Sequence, residues 1–133
     1  MSTSLLLAIF YKAYWIDCEI KQRRTTENNM LEIRPNCELC DRDLPPASDE
    51  ARICSYECTY CAACVDGILQ NVCPSCGGGF EKRPIRPMAS YRDGKSLGLQ
   101  FHPASKTRVH SPYSADDINE HVERIKVTAP KDR

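Results

Sequence analysis

Cys37-x2-Cys40, Cys54-x3-Cys58, Cys61-x2-Cys64 and Cys73-x2-Cys76 gather eight of the nine cysteines of this 133-residue chain between positions 37 and 76. A two-residue gap lets one short turn aim both sulfurs at a single ion, and four thiolates at about 2.3 Å complete a closed tetrahedral zinc site. The spacing therefore predicts two zinc ions, both structural, because a site closed by four sulfurs keeps no position for substrate or water. Cys18 stands apart from the cluster and is not expected to be a ligand.

Other chemistries of cysteine fit the spacing less well. Eight cysteines can also build a disulfide framework in a secreted protein, but paired two- and three-residue gaps suit a metal turn better than a bridge. Cys58-x2-Cys61-x2-Cys64 resembles the front of a ferredoxin run, yet eight residues precede Cys73 where three are wanted. An iron-sulfur cluster would also leave Cys37 and Cys40 without a role. A thioredoxin-like pair needs a βαβ setting, and no such alternation is visible. His102, His110 and His121 lie outside the cysteine cluster and are expected as surface imidazoles. Acidic groups near the cysteines are expected to be solvated, with no general acid and base among them. Tyr56, Tyr60 and Phe80 are expected in the core, with stacking on bases as the alternative. No catalytic constellation and no small-molecule substrate emerge.

The elements that must carry these cysteines are short. Asp41–Glu50, with Pro45, Pro46 and Ser48, is a loop after the first pair. Arg52–Tyr60 predicts a hairpin bearing Cys54 and Cys58. Ala62, Ala63, Val65, Ile68, Leu69 and Val72 then fall at helical spacing, so a helix is expected from Cys61 until Pro74 stops it. Gly77, Gly78 and Gly79 release the chain into an edge strand within Phe80–Ile85. Few apolar positions lie in this stretch, and so small a unit needs metal or bridges to offset chain entropy.

Both flanks differ from this centre. Residues 1–29 form an N-terminal extension, and Met30 is a candidate true start. Leu5–Ile16 is apolar and aromatic, but it lacks the flanks of a signal peptide and is shorter than the roughly 20 residues of a membrane-spanning helix. The expected location is cytoplasmic, with reduced thiols and no membrane contact. Residues 88–133 predict a basic, flexible tail. Within it Ser114 and Asp117 resemble a capping box that opens a short helix over 114–126, with Ile118, Val122 and Ile125 on one face expected to dock on the core.

Net charge is zero, but it is unevenly spread. Arg34, Arg42 and Arg52 face Glu32, Glu38, Asp41, Asp43, Asp49, Glu50, Glu57, Asp66 and Glu81 in the acidic centre, and each four-thiolate zinc adds a formal charge of about minus two. Lys82, Arg83, Arg86, Arg92, Lys95, Lys106 and Arg108 make the following stretch basic. Nucleic acid, if bound at all, is expected there and is not favoured; the expected partner is a protein.

The order of the eight cysteines resembles the RING pattern. That resemblance implies that alternate pairs share an ion, Cys37, Cys40, Cys61 and Cys64 holding one zinc and Cys54, Cys58, Cys73 and Cys76 the other. Leu39 and Pro74 match common RING choices. Against it, Cys58 stands where His is usual, Gly77 follows the last ligand where active ligases often carry a basic residue, and no Trp lies between Cys64 and Cys73. The scaffold is therefore better supported than ubiquitin ligase activity. The runs from Met30 to Pro46, from Glu50 to Cys61 and from Val72 to Gly78 are more closely similar to a small, cysteine-rich, mainly bacterial family, domain of unknown function 1272. It implies a zinc-binding fold without an assigned activity. The expected architecture is a small α+β domain over 30–87, a treble-clef or RING-like cross-brace with two four-cysteine sites, a short hairpin, one helix and disordered flanks, acting as an interaction module.

Overall fold

Ala51–Ile53 (β1) and Thr59–Cys61 (β2) pair antiparallel, with Ala51 opposite Cys61 and Ile53 opposite Thr59. The β-branched and aromatic side chains of Ile53, Thr59 and Tyr60 suit a pleated, half-buried surface. Between the strands the Glu57 amide donates to the Cys54 carbonyl at 3.0 Å, and Glu57 takes a left-handed φ of 67°. This computed structural model describes residues 30–133; the apolar stretch Leu5–Ile16 and Cys18 lie outside the described residues. Ile33–Arg133 form one compact unit.

Glu81–Lys82 (β3) adds to the other edge of β1, giving a three-stranded antiparallel sheet in the order β2-β1-β3. The hairpin and the edge strand stand where the sequence predicts them. β2 runs directly into one turn of α-helix, Ala62–Cys64 (α1), which widens into a π-helical turn over Val65–Leu69. The expected continuation to Val72 does not occur. Gln70 and Asn71 are consecutively left-handed, at φ 47° and 61°, which ends any right-handed helix. Asn tolerates that conformation, and the Asn71 side-chain oxygen is fixed by the Phe80 amide at 2.8 Å.

The core lies between the sheet, the helical turn and the C-terminal segment. Tyr60, Leu44, Leu69 and Val72 are fully buried beside Phe80 and the cysteines. Tyr60 and Phe80 meet edge to face at 5.4 Å, as expected of core rings, whereas Tyr56 is 61 % exposed. Polar groups are buried too. The Arg83 guanidinium, 1 % exposed, donates to the carbonyls of Arg34, Leu44 and Pro45, and Arg34 pairs with buried Glu38 at 2.8 Å.

The stretch after residue 88 differs most from its expectation as a flexible tail. The Ser105 amide donates to the Ile33 carbonyl, and the Ser111 amide to that of Glu38. Val109 exchanges both backbone groups with the Asn36 side chain, at 2.8 and 3.2 Å. Helix Ala115–Ile125 (α2) follows, opened by Ser114, whose hydroxyl accepts from the Asp117 amide at 3.2 Å. Ile118 and Val122 are buried by packing beside the π-helical turn. A Ser-, Gly- and Pro-rich composition lowers local propensity, but here the backbone groups find partners in the core and the apolar stripe closes over it. Among the described residues no helix is long and apolar enough to cross a membrane.

Candidate metal centre

Two backbone turns of the same form present the outer cysteine pairs. In Cys37–Cys40 the Asp41 amide donates to the Cys37 carbonyl at 2.9 Å, and the Cys37 amide to the Arg42 carbonyl at 2.8 Å. In Cys73–Cys76 the Gly77 amide donates to the Cys73 carbonyl at 2.9 Å, and the Cys73 amide to the Gly78 carbonyl at 2.8 Å. Both turns close on a left-handed residue, Asp41 at φ 65° and Gly77 at φ 78°. Asp and Gly are residues that enter that region at modest or no steric cost. The inner pairs come from regular elements: Cys54 and Cys58 bracket the hairpin turn, while Cys61 ends β2 and Cys64 ends α1.

The first cluster is closed. The sulfurs of Cys37, Cys40, Cys61 and Cys64 all lie within 4.8 Å of one another. Cys40 and Cys61 are 3.7 Å apart at sulfur, against an edge of about 3.8 Å for a tetrahedron with 2.3 Å metal-sulfur bonds. That separation is far beyond a disulfide bond of about 2.05 Å, and all eight described cysteines are free thiols. An envelope of this size fits one ion. In the second cluster Cys54, Cys58 and Cys73 lie within 4.8 Å of one another, all buried. Cys76 is exposed and falls outside that envelope, although its sulfur contacts those of Cys54 and Cys73.

Electrostatics distinguish the exposed sulfur of each turn from the buried ones. Burial pushes the Cys37 and Cys64 thiols up, and contact with neighbouring sulfurs pushes up those of Cys54 and Cys73. Against the cost of its own burial, Cys40 is held below the ordinary thiol range by the Arg42 amide and adjacent sulfurs. Cys76 is lowered by its contacts with Cys54 and Cys73 and by the Gly78 amide, 3.3 Å from its sulfur. Crowded sulfurs cannot ionise together without a counter-charge, and a divalent cation at their centre supplies it. Two cysteine groups of this protein could thus hold metal ions: the first joins the alternate pairs Cys37/Cys40 and Cys61/Cys64, and the second joins the pair Cys54/Cys58 to Cys73.

Carboxylate and imidazole groups around the clusters have positions that the sequence did not reveal. Glu38, between two cysteines, is 3 % exposed; burial raises its carboxyl pKa, opposed by Arg34 and by the Thr59 amide, which donates to it. Asp41 accepts from Arg108 at 2.9 Å and from His110 at 2.9 Å, and Arg108 also reaches Asp43 at 2.7 Å. His110 is thus a surface imidazole in an ion-pair cluster. His121 is not simply a surface group: its Nε2 lies 2.9 Å from the Cys73 carbonyl and must carry the proton, since a carbonyl only accepts. The signal for His121 was its position one turn after Ile118, on the apolar face of α2. For Glu38 and Arg83 the sequence offered none.

No solved structure matches the chain. Among curated proteins, Uncharacterized protein R02474 of Rhizobium meliloti (strain 1021) is 49 % identical over 83 residues, a match covering 62 % of this chain and 89 % of that relative. The model of the family described as protein of unknown function (DUF1272) matches residues 30–86, which contain both cysteine clusters, the sheet and the helical turn. Cysteine turns, spacing and relative agree, and the chain belongs to the DUF1272 family.

Proposed function

We propose that this chain is a treble-clef or RING-like zinc domain in which two structural zinc ions, each held by four cysteines, support a protein-interaction surface. The first would be held by Cys37, Cys40, Cys61 and Cys64, the second by Cys54, Cys58, Cys73 and Cys76. The observation that carries the proposal is the first cluster, whose 3.7 Å sulfur separation matches the edge of a four-thiolate tetrahedron around one ion. Zinc is preferred to iron-sulfur chemistry because four sulfurs within 4.8 Å enclose a single ion rather than a multinuclear cluster. The sites have no open position, so catalysis at the metal is not part of the proposal.

The surface left for a partner includes Tyr56 on the hairpin turn and Ile68 on the helical turn, 61 % and 48 % exposed. Nucleic acid is disfavoured on specific grounds: within the basic stretch Arg83 and Arg86 bond to backbone carbonyls, and Arg108 is engaged by Asp41 and Asp43. A reducing compartment such as the cytoplasm would keep the thiols available. Native mass spectrometry with elemental analysis tests the proposal. Two zinc ions per chain, with loss of folded circular dichroism on chelation, are the expected results. Stoichiometric iron with absorbance near 400 nm, or a metal-free reduced protein that stays folded, would overturn it.

A further inference from the structure

The second cysteine turn is held in place by a part of the chain outside the matched 30–86 segment. His121, on α2, donates from Nε2 to the Cys73 carbonyl at 2.9 Å. Arg133 donates to the Gly77 carbonyl at 3.1 Å and to the Asn71 carbonyl at 2.8 Å, bridging the two ends of the segment that contains Cys73 and Cys76. Packing follows the same path. A Cβ on Gly77 would lie 3.4 Å from the Ile125 side chain, and one on Gly79 would lie 3.2 Å from the Pro130 ring. The C-terminal segment thus touches the backbone of the turn at its first cysteine, at the residue after its second, and two residues beyond.

We infer that α2 and the terminal residues through Arg133 are a clamp that retains the second metal ion, so that occupancy of this site and docking of α2 are linked. The inference rests on the proposed metal-binding reading. Cys54, Cys58 and Cys73 are buried together while Cys76 is exposed, so the position of the Cys73–Cys76 turn decides whether a fourth sulfur completes the set. Holding that turn against the hairpin lowers the free energy of the loaded form. By linkage, an ion that favours the closed turn favours the docked helix by the same amount. Loss of the second ion would then free the apolar face carried by Ile118 and Val122, turning metal status into a change of surface. His121 is a positioning residue in this arrangement, not a ligand.

The test compares full-length wild type with His121→Ala and His121→Gln, each first assayed for zinc by elemental analysis. Zinc release to a colorimetric chelator is then followed in time. The expected result is two slow phases in wild type, with one accelerated about tenfold or more in His121→Ala, the other unchanged, and slow release restored in His121→Gln, whose amide can donate to the same carbonyl. Hydrogen exchange of Cys76→Ser supplies the reciprocal measurement and needs no His121 variant to fold: α2 amides should lose protection while the Val109 amide keeps it. Wild type with two zinc ions, release unchanged in His121→Ala and α2 protected in Cys76→Ser would overturn the clamp alone. Wild type without bound metal would instead overturn the metal-binding reading on which it stands.

Discussion

The two cysteine turns are nearly superimposable in hydrogen bonding, yet the clusters they serve differ in closure. At the first, Cys37 and Cys40 meet Cys61 and Cys64, which one helical turn places three residues apart on the same face. All four sulfurs converge. At the second, the partners are Cys54 and Cys58, separated by the extra residue of a hairpin turn, and only three sulfurs share the envelope. The supports differ as well. The first turn is buttressed by buried Asn36, Glu38 and Arg83, together with exposed ion pairs from Arg108. The second relies on a helix more than forty residues further along the chain. Both turns draw on segments distant in sequence, but the first is held by several of them, Arg83, Arg108 and Val109 among them, whereas the second is held by α2 and the residues that follow it and depends on that one segment staying docked.

Removing one sulfur from each cluster should break this comparison most visibly. If the clusters hold zinc as proposed, Cys61→Ser is expected to prevent folding, because a structural zinc would contribute about 10–16 kcal/mol of apparent binding free energy, comparable with or larger than the roughly 5–15 kcal/mol that separates most native domains from unfolding. Cys76→Ser, at an exposed position outside the envelope, should leave a folded protein with one tightly held ion. Native mass spectrometry beside circular dichroism reads both, and equal loss of structure in the two variants would erase the asymmetry.

Arg83→Met tests the support of the first turn without touching a cysteine. It leaves the carbonyls of Arg34, Leu44 and Pro45 without this donor, and a loss of about 2–4 kcal/mol in urea unfolding is expected. An unchanged midpoint would mean that solvent or a neighbour satisfies those groups.

Asn36→Ala sharpens the contrast further, since its side chain holds the Val109 backbone by two hydrogen bonds. A cost of about 1–3 kcal/mol is expected, with faster amide exchange confined to 105–111 and the first turn. Ser114→Ala should have the smallest effect, about 1 kcal/mol from the lost helix cap. Its exchange signature should fall on α2 and the second turn instead. Identical exchange maps for the two variants would show that residues 105–111 and α2 move as one body.

Much of the grouping of the cysteines was legible because the pairs are set by short-range spacing. Two-residue gaps between cysteines need only a local turn, and the hairpin between Arg52 and Tyr60 follows from its alternating side chains. The helix cap at Ser114 and the stripe of Ile118, Val122 and Ile125 were equally local. The helix after Cys61 ends sooner than its spacing predicts, because Val72 fits helical periodicity and, although Asn71 is a residue that tolerates the left-handed region, Gln70 gives no sign of entering it first. Glu38, Asn36 and Arg83 were illegible: polar side chains are mostly exposed, and their burial depends on partners distant in sequence.

Residue spacing by itself determined that eight sulfurs come in four pairs and that a strand hairpin and a helical turn carry two of them, because those are properties of a few consecutive peptide units. Only the tertiary structure decided that the stretch after residue 88 is part of the domain, that Arg83 is buried on this chain's own carbonyls while Arg108 pairs with Asp41 and Asp43 at the surface, and that His121 meets the Cys73 carbonyl. The physical reason is that a buried backbone group must find a partner wherever the fold brings one, and the energy of that pairing does not depend on how far apart the two residues lie in the sequence.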